Sequence, residues 1–203
     1  MIRLEHISHH YAKEPVLHDI SLQIEANSFN IISGESGSGK STLLSVISTL
    51  LTPSKGKLFF DKTQSTQIKN MDIFRNRHIG FVFQFHYLIS HLSVYENIAL
   101  VSRKSKKDAQ EVLKKLGILD LENKYPDEIS GGQRQRAAIA RAIINQPKYI
   151  FADEPTGSLD SKNSQIVFDI LRELDATVVV ATHELGYAQK DDTMITLKDG
   201  RLC

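Results

Sequence analysis

The chain has 203 residues, of which 41% are hydrophobic and 24% are charged. This composition is ordinary for a globular protein, and one domain of this length can bury a core without disulfide or metal staples, so it argues against an intrinsically disordered chain. With 25 Lys and Arg against 24 Asp and Glu, the net charge of +1 gives no overall attraction to nucleic acid or to an anionic membrane.

Targeting and redox signals are weak. The N-terminal residues contain no apolar core of a secretory signal, and the longest apolar stretches, such as Ala176–Ala181, fall far short of the roughly 18 residues that a membrane helix needs. The single cysteine, Cys203, excludes an intrachain disulfide and fits a reducing compartment. We expect a soluble protein that reaches a membrane only through a partner.

Strand patterns dominate the first 33 residues, where Leu17–Glu25 alternates apolar and polar residues and Phe29–Ile32 is a short apolar run. We then expect helices over Ser41–Leu51, two within Ser93–Leu116, Gln133–Ile144 and Ser161–Leu174, and strands over Lys57–Phe60, Ile79–Phe83, Tyr149–Ala152, Thr177–Ala181 and Thr193–Leu197. Strands and helices alternate at both ends, which predicts an α/β fold with a mostly parallel sheet. The middle, from about 85 to 135, has no clear strand and predicts a helical insert.

A phosphate-binding loop stands out directly after the second apolar run. The segment Gly34-Glu35-Ser36-Gly37-Ser38-Gly39-Lys40-Ser41 fits the pattern G-x-x-x-x-G-K-[ST]. Glycines let backbone N–H groups turn inward around phosphate oxygens, while Lys40 would reach the β- and γ-phosphates and Ser41 would offer its hydroxyl to Mg²⁺. The helix that continues from Thr42 points its N-terminus at the anion. The alternative, a flexible Gly/Ser turn, is disfavoured because a strand precedes the loop and a helix follows it.

A second candidate anion site, Ser130-Gly131-Gly132-Gln133, precedes the helical pattern that ends near Ile144. Serine and glycines at a helix N-terminus suit a phosphate, but no lysine is present, so alone this would be a poor nucleotide site. One interpretation is a composite site, in which the phosphate loop of one chain meets the Ser-Gly-Gly turn of another across a dimer. The alternative is a helix cap with a glycine turn.

The order of motifs along the whole chain resembles that of the ATP-binding subunits of ABC transporters. The motifs are the phosphate loop, Gln84, Ile129–Gln133, Tyr149–Glu154, Ser158–Asp160 and His183. The resemblance implies one domain over 1–203, with a P-loop NTPase core in 1–84 and 136–203 and a helical subdomain inserted at 85–135. It also implies an N-terminal antiparallel β-subdomain, and ATP and Mg²⁺ as cofactors.

The resemblance assigns roles to four polar residues that follow core strands. Asp153 would hold Mg²⁺, and Glu154 would orient and activate the attacking water. Gln84 would approach Mg²⁺ and water through its amide and link the core to the insert, although alone it could be an ordinary polar strand end. His183 would contact the γ-phosphate. We interpret the histidines His9, His10 and His86 as surface residues.

Two further residues carry weaker assignments. Asp160 matches a loop that runs along the dimer interface in the family, and it could equally cap the helix that follows, so both roles stay open. Tyr11 matches the aromatic residue that stacks on adenine, against the alternative of simple packing.

The segments Phe83–Leu88 and Ser93–Ile98 are similar to those of the ATPases of lipoprotein-releasing and macrolide-export systems. This resemblance implies a cytoplasmic subunit that forms a homodimer, or pairs with another ATPase subunit, in the ATP-bound state. It would be peripheral on the inner face of the cell membrane and would contact the membrane only through its permease. The helices from about 85 to 125 would receive that permease. An alternative is a non-transport ABC ATPase, for example a cell-division regulator.

A basic cluster lies in the predicted insert, where Lys and Arg residues between Arg103 and Lys115 outnumber Asp108 and Glu111. A solvated helix face is the favoured interpretation. A contact with lipid headgroups or with an acidic partner loop is the alternative.

Overall fold

The computed structural model describes residues 1–203. Its strands are β1 (Ile2–Tyr11), β2 (Glu14–Ile24), β3 (Phe29–Ser33), β4 (Lys55–Phe60), β5 (Thr63–Gln64), β6 (Ile79–Phe83), β7 (Tyr149–Asp153), β8 (Thr177–Ala181), β9 (Thr193–Lys198) and β10 (Arg201–Leu202). Its helices are α1 (Lys40–Ile47), α2 (Met71–His78), α3 (Val94–Ala99), α4 (Lys106–Lys115), α5 (Gly131–Ile143) and α6 (Ser161–Arg172).

The first sheet is antiparallel and has the order β2-β1-β4-β5. Its strands alternate inward apolar and outward polar residues, and Ile2, Leu4 and Ile7 of β1 are buried. This confirms the expected N-terminal antiparallel subdomain.

The second sheet has the order β10-β9-β3-β8-β7-β6, and all its pairs are parallel except β10 with β9. Every residue of β8 is buried, as expected for an uninterrupted apolar strand that is covered on both faces. Because the strands are parallel, the carboxyl ends of β3, β6, β7 and β8 lie along one edge of the sheet. The phosphate loop, Gln84, Glu154 and His183 all follow these ends.

Two apolar cores flank this sheet. Helix α1 packs Leu43, Leu44 and Val46 into the core shared with the antiparallel sheet. Helices α3, α4, α5 and α6 contribute to the core on the other side. No strand occurs between β6 and β7, so the predicted helical character of this region is confirmed. None of the helices combines the length and apolar character that crossing a bilayer requires.

Several details differ from the sequence-based expectations, and one of them is that α1 ends at Ile47 rather than at Leu51. Helix α2 was not predicted, because it buries none of its residues and so carries no apolar stripe. Helix α5 begins at Gly131 rather than Gln133, because Ser130 caps it and the glycines form its first turn. The assignment of His9 to the surface was wrong, since the alternation of β1 places it on the inward face beyond Ile7.

Candidate functional site

The phosphate loop connects β3 to α1 and is shaped by two glycines. A Cβ at Gly34 would lie 2.3 Å from the Leu197 carbonyl oxygen, and Gly39 has a φ of 99°, in the left-handed region. The crest, Glu35–Gly37, is exposed, whereas Ser38 is buried and Thr42 is half-buried. The loop therefore runs tightly against β9 and turns its crest to solvent.

The N-terminus of α1 has no side-chain cap. The amide N–H groups of Gly39, Lys40 and Ser41 donate to no backbone or side-chain acceptor. The Lys40 ammonium, which is largely buried, donates to the carbonyl oxygens of Gly34 at 2.8 Å and Glu35 at 3.0 Å. Unpaired amides around a lysine fit the oxygens of a nucleotide phosphate.

A hydroxyl and a carboxylate meet beside this loop. Ser41 Oγ donates to Asp153 Oδ1 at 2.9 Å, which joins the start of α1 to the end of β7. Burial raises the pKa of the Asp153 carboxyl, and the hydrogen bond from Ser41 opposes that shift. Hard oxygen ligands of these two types suit Mg²⁺, so this pair fits the expected cation.

Glu154 and His183 form the second pair of the site. Glu154 Oε1 lies 2.9 Å from His183 Nδ1, and the hydrogen bond to Glu154 raises the pKa of His183. The side chain of Glu154 is 17% exposed, whereas that of His183 is 66% exposed. Glu154 has a φ of 44°, an uncommon conformation for a residue other than glycine. The arrangement holds a carboxyl group at the edge of the sheet with an imidazole facing solvent.

Gln84 follows β6 at the same edge, and a Cβ at Gly157 would lie 2.7 Å from its Nε2 atom.

Gln135, which also contacts the end of β6, is a residue that sequence reasoning missed. Gln135 of α5 is fully buried, and its Nε2 donates to the Pro155 carbonyl oxygen at 2.7 Å and the Phe83 carbonyl oxygen at 3.4 Å. Its Oε1 atom has no partner. A glutamine at an inward position of an amphipathic helix is the signal that could have revealed it.

Ser130 and Gln133 cap α5 reciprocally. Ser130 Oγ accepts from the Gln133 N–H at 3.3 Å, and Gln133 Oε1 accepts from the Ser130 N–H at 2.8 Å. A Cβ at Gly132 would lie 2.4 Å from Asn163 Oδ1, whereas at Gly131 the nearest atom would be 3.8 Å away. No hydrogen bond joins this motif to the phosphate loop. Within one chain, the two candidate anion sites are therefore not linked directly by hydrogen bonds.

Asp160 and Tyr11 complete the predicted set. Asp160 caps α6 by accepting from the Asn163 N–H at 2.8 Å, so the capping alternative holds. The same carboxylate accepts from Asn163 Nδ2 at 2.8 Å, which fixes the side chain that packs on Gly132. Tyr11 is 48% exposed and packs edge-on against the His9 ring, with centroids 4.9 Å apart.

Comparison with known proteins agrees with this geometry. A family model described as ABC transporter matches residues 17–157. The lipoprotein-releasing system ATP-binding protein LolD of Buchnera aphidicola is 42% identical over 199 residues, covering 92% of this chain and 87% of that protein.

Solved structures show the same fold. The dimeric structure of a bacterial ABC transporter cassette has a TM-score of 0.88 and 37% identity, covering 100% of this chain and 96% of that one. A post-hydrolysis state of that cassette, bound to ADP and phosphate, has a TM-score of 0.87 and 35% identity with the same coverage. The chain belongs to the ABC transporter family, as an ATP-binding subunit with ATPase activity.

Proposed function

We propose that this chain hydrolyses ATP with Mg²⁺ as a dimer and drives a membrane permease of the lipoprotein-releasing type. The observation that carries the proposal is the placement of the phosphate loop, the Ser41–Asp153 pair and the Glu154–His183 pair along one sheet edge. The likeness to a LolD protein supports the lipoprotein-releasing part.

ATP binding uses the phosphate loop and the Ser41–Asp153 pair. The free amides of Gly39–Ser41 and the Lys40 ammonium hold the β- and γ-phosphates, for which Lys40 leaves the carbonyl oxygens it now contacts. Ser41 and Asp153 hold Mg²⁺, and Gln84 approaches it from the end of β6. When bound, the ion neutralises charge that develops on the phosphate oxygens. Tyr11 stacks on the adenine ring.

Hydrolysis uses the second pair. Glu154 accepts a hydrogen bond from the attacking water and takes up its proton as the water oxygen bonds to the γ-phosphorus, while the bond from that phosphorus to the bridging oxygen breaks and ADP leaves. His183, kept in its donor form by the neighbouring carboxylate, donates to a γ-phosphate oxygen. Its exposure supports this role, since it leaves the imidazole accessible to a bound nucleotide.

The second anion motif is used in trans. No hydrogen bond joins Ser130 or Gly132 to the loop of their own chain, and in the dimer they contact the γ-phosphate held by Lys40 of a second copy. Asp160 lies at the same dimer interface. ATP must bind this closed dimer more tightly than the open one, because otherwise it would shift no equilibrium.

The permease docks on a groove beside α5. Phe83, Tyr87, Ile89 and Leu100 contribute to an apolar lining, and the cavity has a volume of about 440 Å³. Arg141 of α5 donates to the carbonyl oxygens of His86 and Tyr87, both at 2.7 Å. Movement of α5 on dimer closure therefore reaches the groove directly. In this arrangement the chain is cytoplasmic and peripheral on the inner face of the membrane.

The test compares two variants. Glu154→Gln should bind ATP and accumulate as a dimer in light scattering, whereas Lys40→Ala should do neither. Tagged Glu154→Gln protein, held with ATP and Mg²⁺, should then retain a permease with a large extracytoplasmic domain when purified from its own membranes. A Glu154→Gln protein that stays monomeric at saturating ATP would contradict the dimer, and a soluble partner alone would contradict the transport role.

A further inference from the structure

We infer that Thr182 is a positioning residue for hydrolysis, which orients the Glu154 carboxylate through its hydroxyl group. This inference rests on the proposed role of Glu154. Thr182 directly follows β8 and is fully buried. Its Oγ1 lies 3.0 Å from Glu154 Oε2, the carboxylate oxygen that His183 does not contact.

The direction of this hydrogen bond is fixed by a second one. The backbone N–H of Glu184 donates to Thr182 Oγ1 at 3.0 Å. An amide N–H can only donate, so the hydroxyl oxygen accepts there and its single hydrogen is left for Glu154. Thr182 therefore donates to the ionised carboxylate, a charge-assisted bond of the stronger kind.

The support behind Thr182 is also rigid. Its own N–H donates to the Ile32 carbonyl oxygen of β3 at 3.0 Å. Glu184 is held in turn by buried Thr156, whose Oγ1 donates to Glu184 Oε2 at 2.9 Å. The Glu154 N–H donates to the Ala181 carbonyl oxygen at 2.8 Å. The segments 154–156 and 181–184 are thus cross-linked by hydrogen bonds on both sides of the Glu154 carboxylate.

In this geometry His183 and Thr182 each form a hydrogen bond with a different oxygen of the Glu154 carboxylate. The side chain of His183 is exposed and also serves the nucleotide, so its bond to Oε1 is free to change during the cycle. Thr182 is buried and has no such freedom, so its bond to Oε2 is the one that can hold the carboxylate throughout. Without the hydroxyl, Glu154 would keep its place in the chain but lose its orientation toward the water.

Thr182→Val removes the hydroxyl at nearly constant shape. We expect kcat for ATP hydrolysis by the full chain to fall about tenfold, as for loss of one hydrogen bond to a charged group, with the KM for ATP within about twofold of the wild-type value. Thr182→Ser, which keeps the hydroxyl, should recover most of kcat.

Thr177→Val is the matched control at the other end of β8. Thr177 is also buried, and its hydroxyl accepts from the Asn27 N–H at 3.0 Å. This variant should lose thermal stability comparably to Thr182→Val but keep its kcat. Should Thr182→Val not fold, Thr182→Ala removes the same hydroxyl without adding a methyl group, and the same fall in kcat is expected.

The outcomes separate the two proposals. A Thr182→Val enzyme with wild-type kcat, measured beside an inactive Glu154→Gln enzyme, overturns the role of Thr182 alone. An equal fall of kcat in Thr177→Val also overturns it, since the effect would then come from general destabilisation. Wild-type turnover by Glu154→Gln overturns the proposed role of Glu154 itself.

Discussion

Helices α1 and α5 both begin at glycine-rich turns, yet their N-termini are satisfied in different ways. Helix α1 starts behind Gly39 with no side-chain cap, so its first amides have no partner in the protein. Helix α5 starts behind Ser130, and a reciprocal capping box with Gln133 satisfies two of its terminal groups. The first helix end thus leaves all of its first amides free for an anion, whereas the second has the Gln133 amide capped and leaves only the Gly131 and Gly132 amides unpaired.

Lys40→Ala tests the difference between the two helix starts with the largest expected effect. The proposal assigns the charge of the first site to Lys40, and loss of its hydrogen bonds to two phosphates should weaken ATP binding at least about 100-fold. Isothermal titration calorimetry measures the change, and Lys57→Ala on the exposed face of β4 should bind like the wild type. Retention of full affinity by Lys40→Ala would place the nucleotide elsewhere.

Gly132→Ala tests how closely the start of α5 is packed against α6. The new methyl group would meet the Asn163 side chain, which a hydrogen bond from its Nδ2 to Asp160 holds in place, so we expect a loss of about 1–3 kcal/mol in unfolding free energy. Gly131→Ala meets only an ordinary contact with Leu159 and should be neutral or slightly stabilising. Urea unfolding of both variants measures the difference, and equal stabilities would contradict the close packing of Gly132.

Ser130→Ala separates capping from phosphate contact. Removing the cap should cost about 1 kcal/mol of unfolding free energy. Ser105 caps α4 with the same kind of box, so Ser105→Ala should cost about as much. In a Glu154→Gln background, light scattering with ATP should detect loss of the dimer for Ser130→Ala only. If the dimer still formed with Ser130→Ala, the proposed contact of Ser130 with the γ-phosphate would be contradicted, and capping would be its remaining role.

Asp153→Asn probes the acid beside α1, with the smallest expected effect. Because burial raises the folded-state pKa of Asp153, its stabilising contribution is present at low pH and is lost as pH rises through that pKa. At neutral pH the nucleotide-free variant should therefore be more stable than the wild type, by less than about 1 kcal/mol. The difference should shrink as pH falls toward the ordinary Asp value of 3.8. Thermal unfolding of both proteins across this pH range, without nucleotide, measures the difference. A stability difference that did not change with pH would contradict the effect of the raised pKa.

Much of the core could be predicted from the sequence because its signals are local. The strands Ile79–Phe83 and Thr177–Ala181 have the predicted bounds, since each is rich in β-branched or aromatic residues and ends directly before a polar residue. Helix α2 escaped prediction because its stability depends on an Asn70 cap and on contacts such as Phe74 with Phe60, not on a buried stripe.

The candidate site divides in the same way. The phosphate loop is recognisable because its residues are consecutive and their spacing is set by one turn. Gln135 and Thr182 are recognisable only in the fold, since each acts on carbonyl or carboxylate groups about twenty or more residues away. The packing of Gly132 on Asn163 likewise depends on how α5 meets α6.

The uncapped start of α1 has a consequence for the abundance of the protein in the cell. A ligand that binds the folded chain and not the unfolded chain adds to its stability by mass action, by about 2.7 kcal/mol at 100 times the dissociation constant. The unpaired amides of Gly39–Ser41 make the nucleotide such a ligand. Cellular ATP would then protect this subunit from proteolysis, and a substitution that abolishes binding would lower its steady-state level even where the isolated fold is intact.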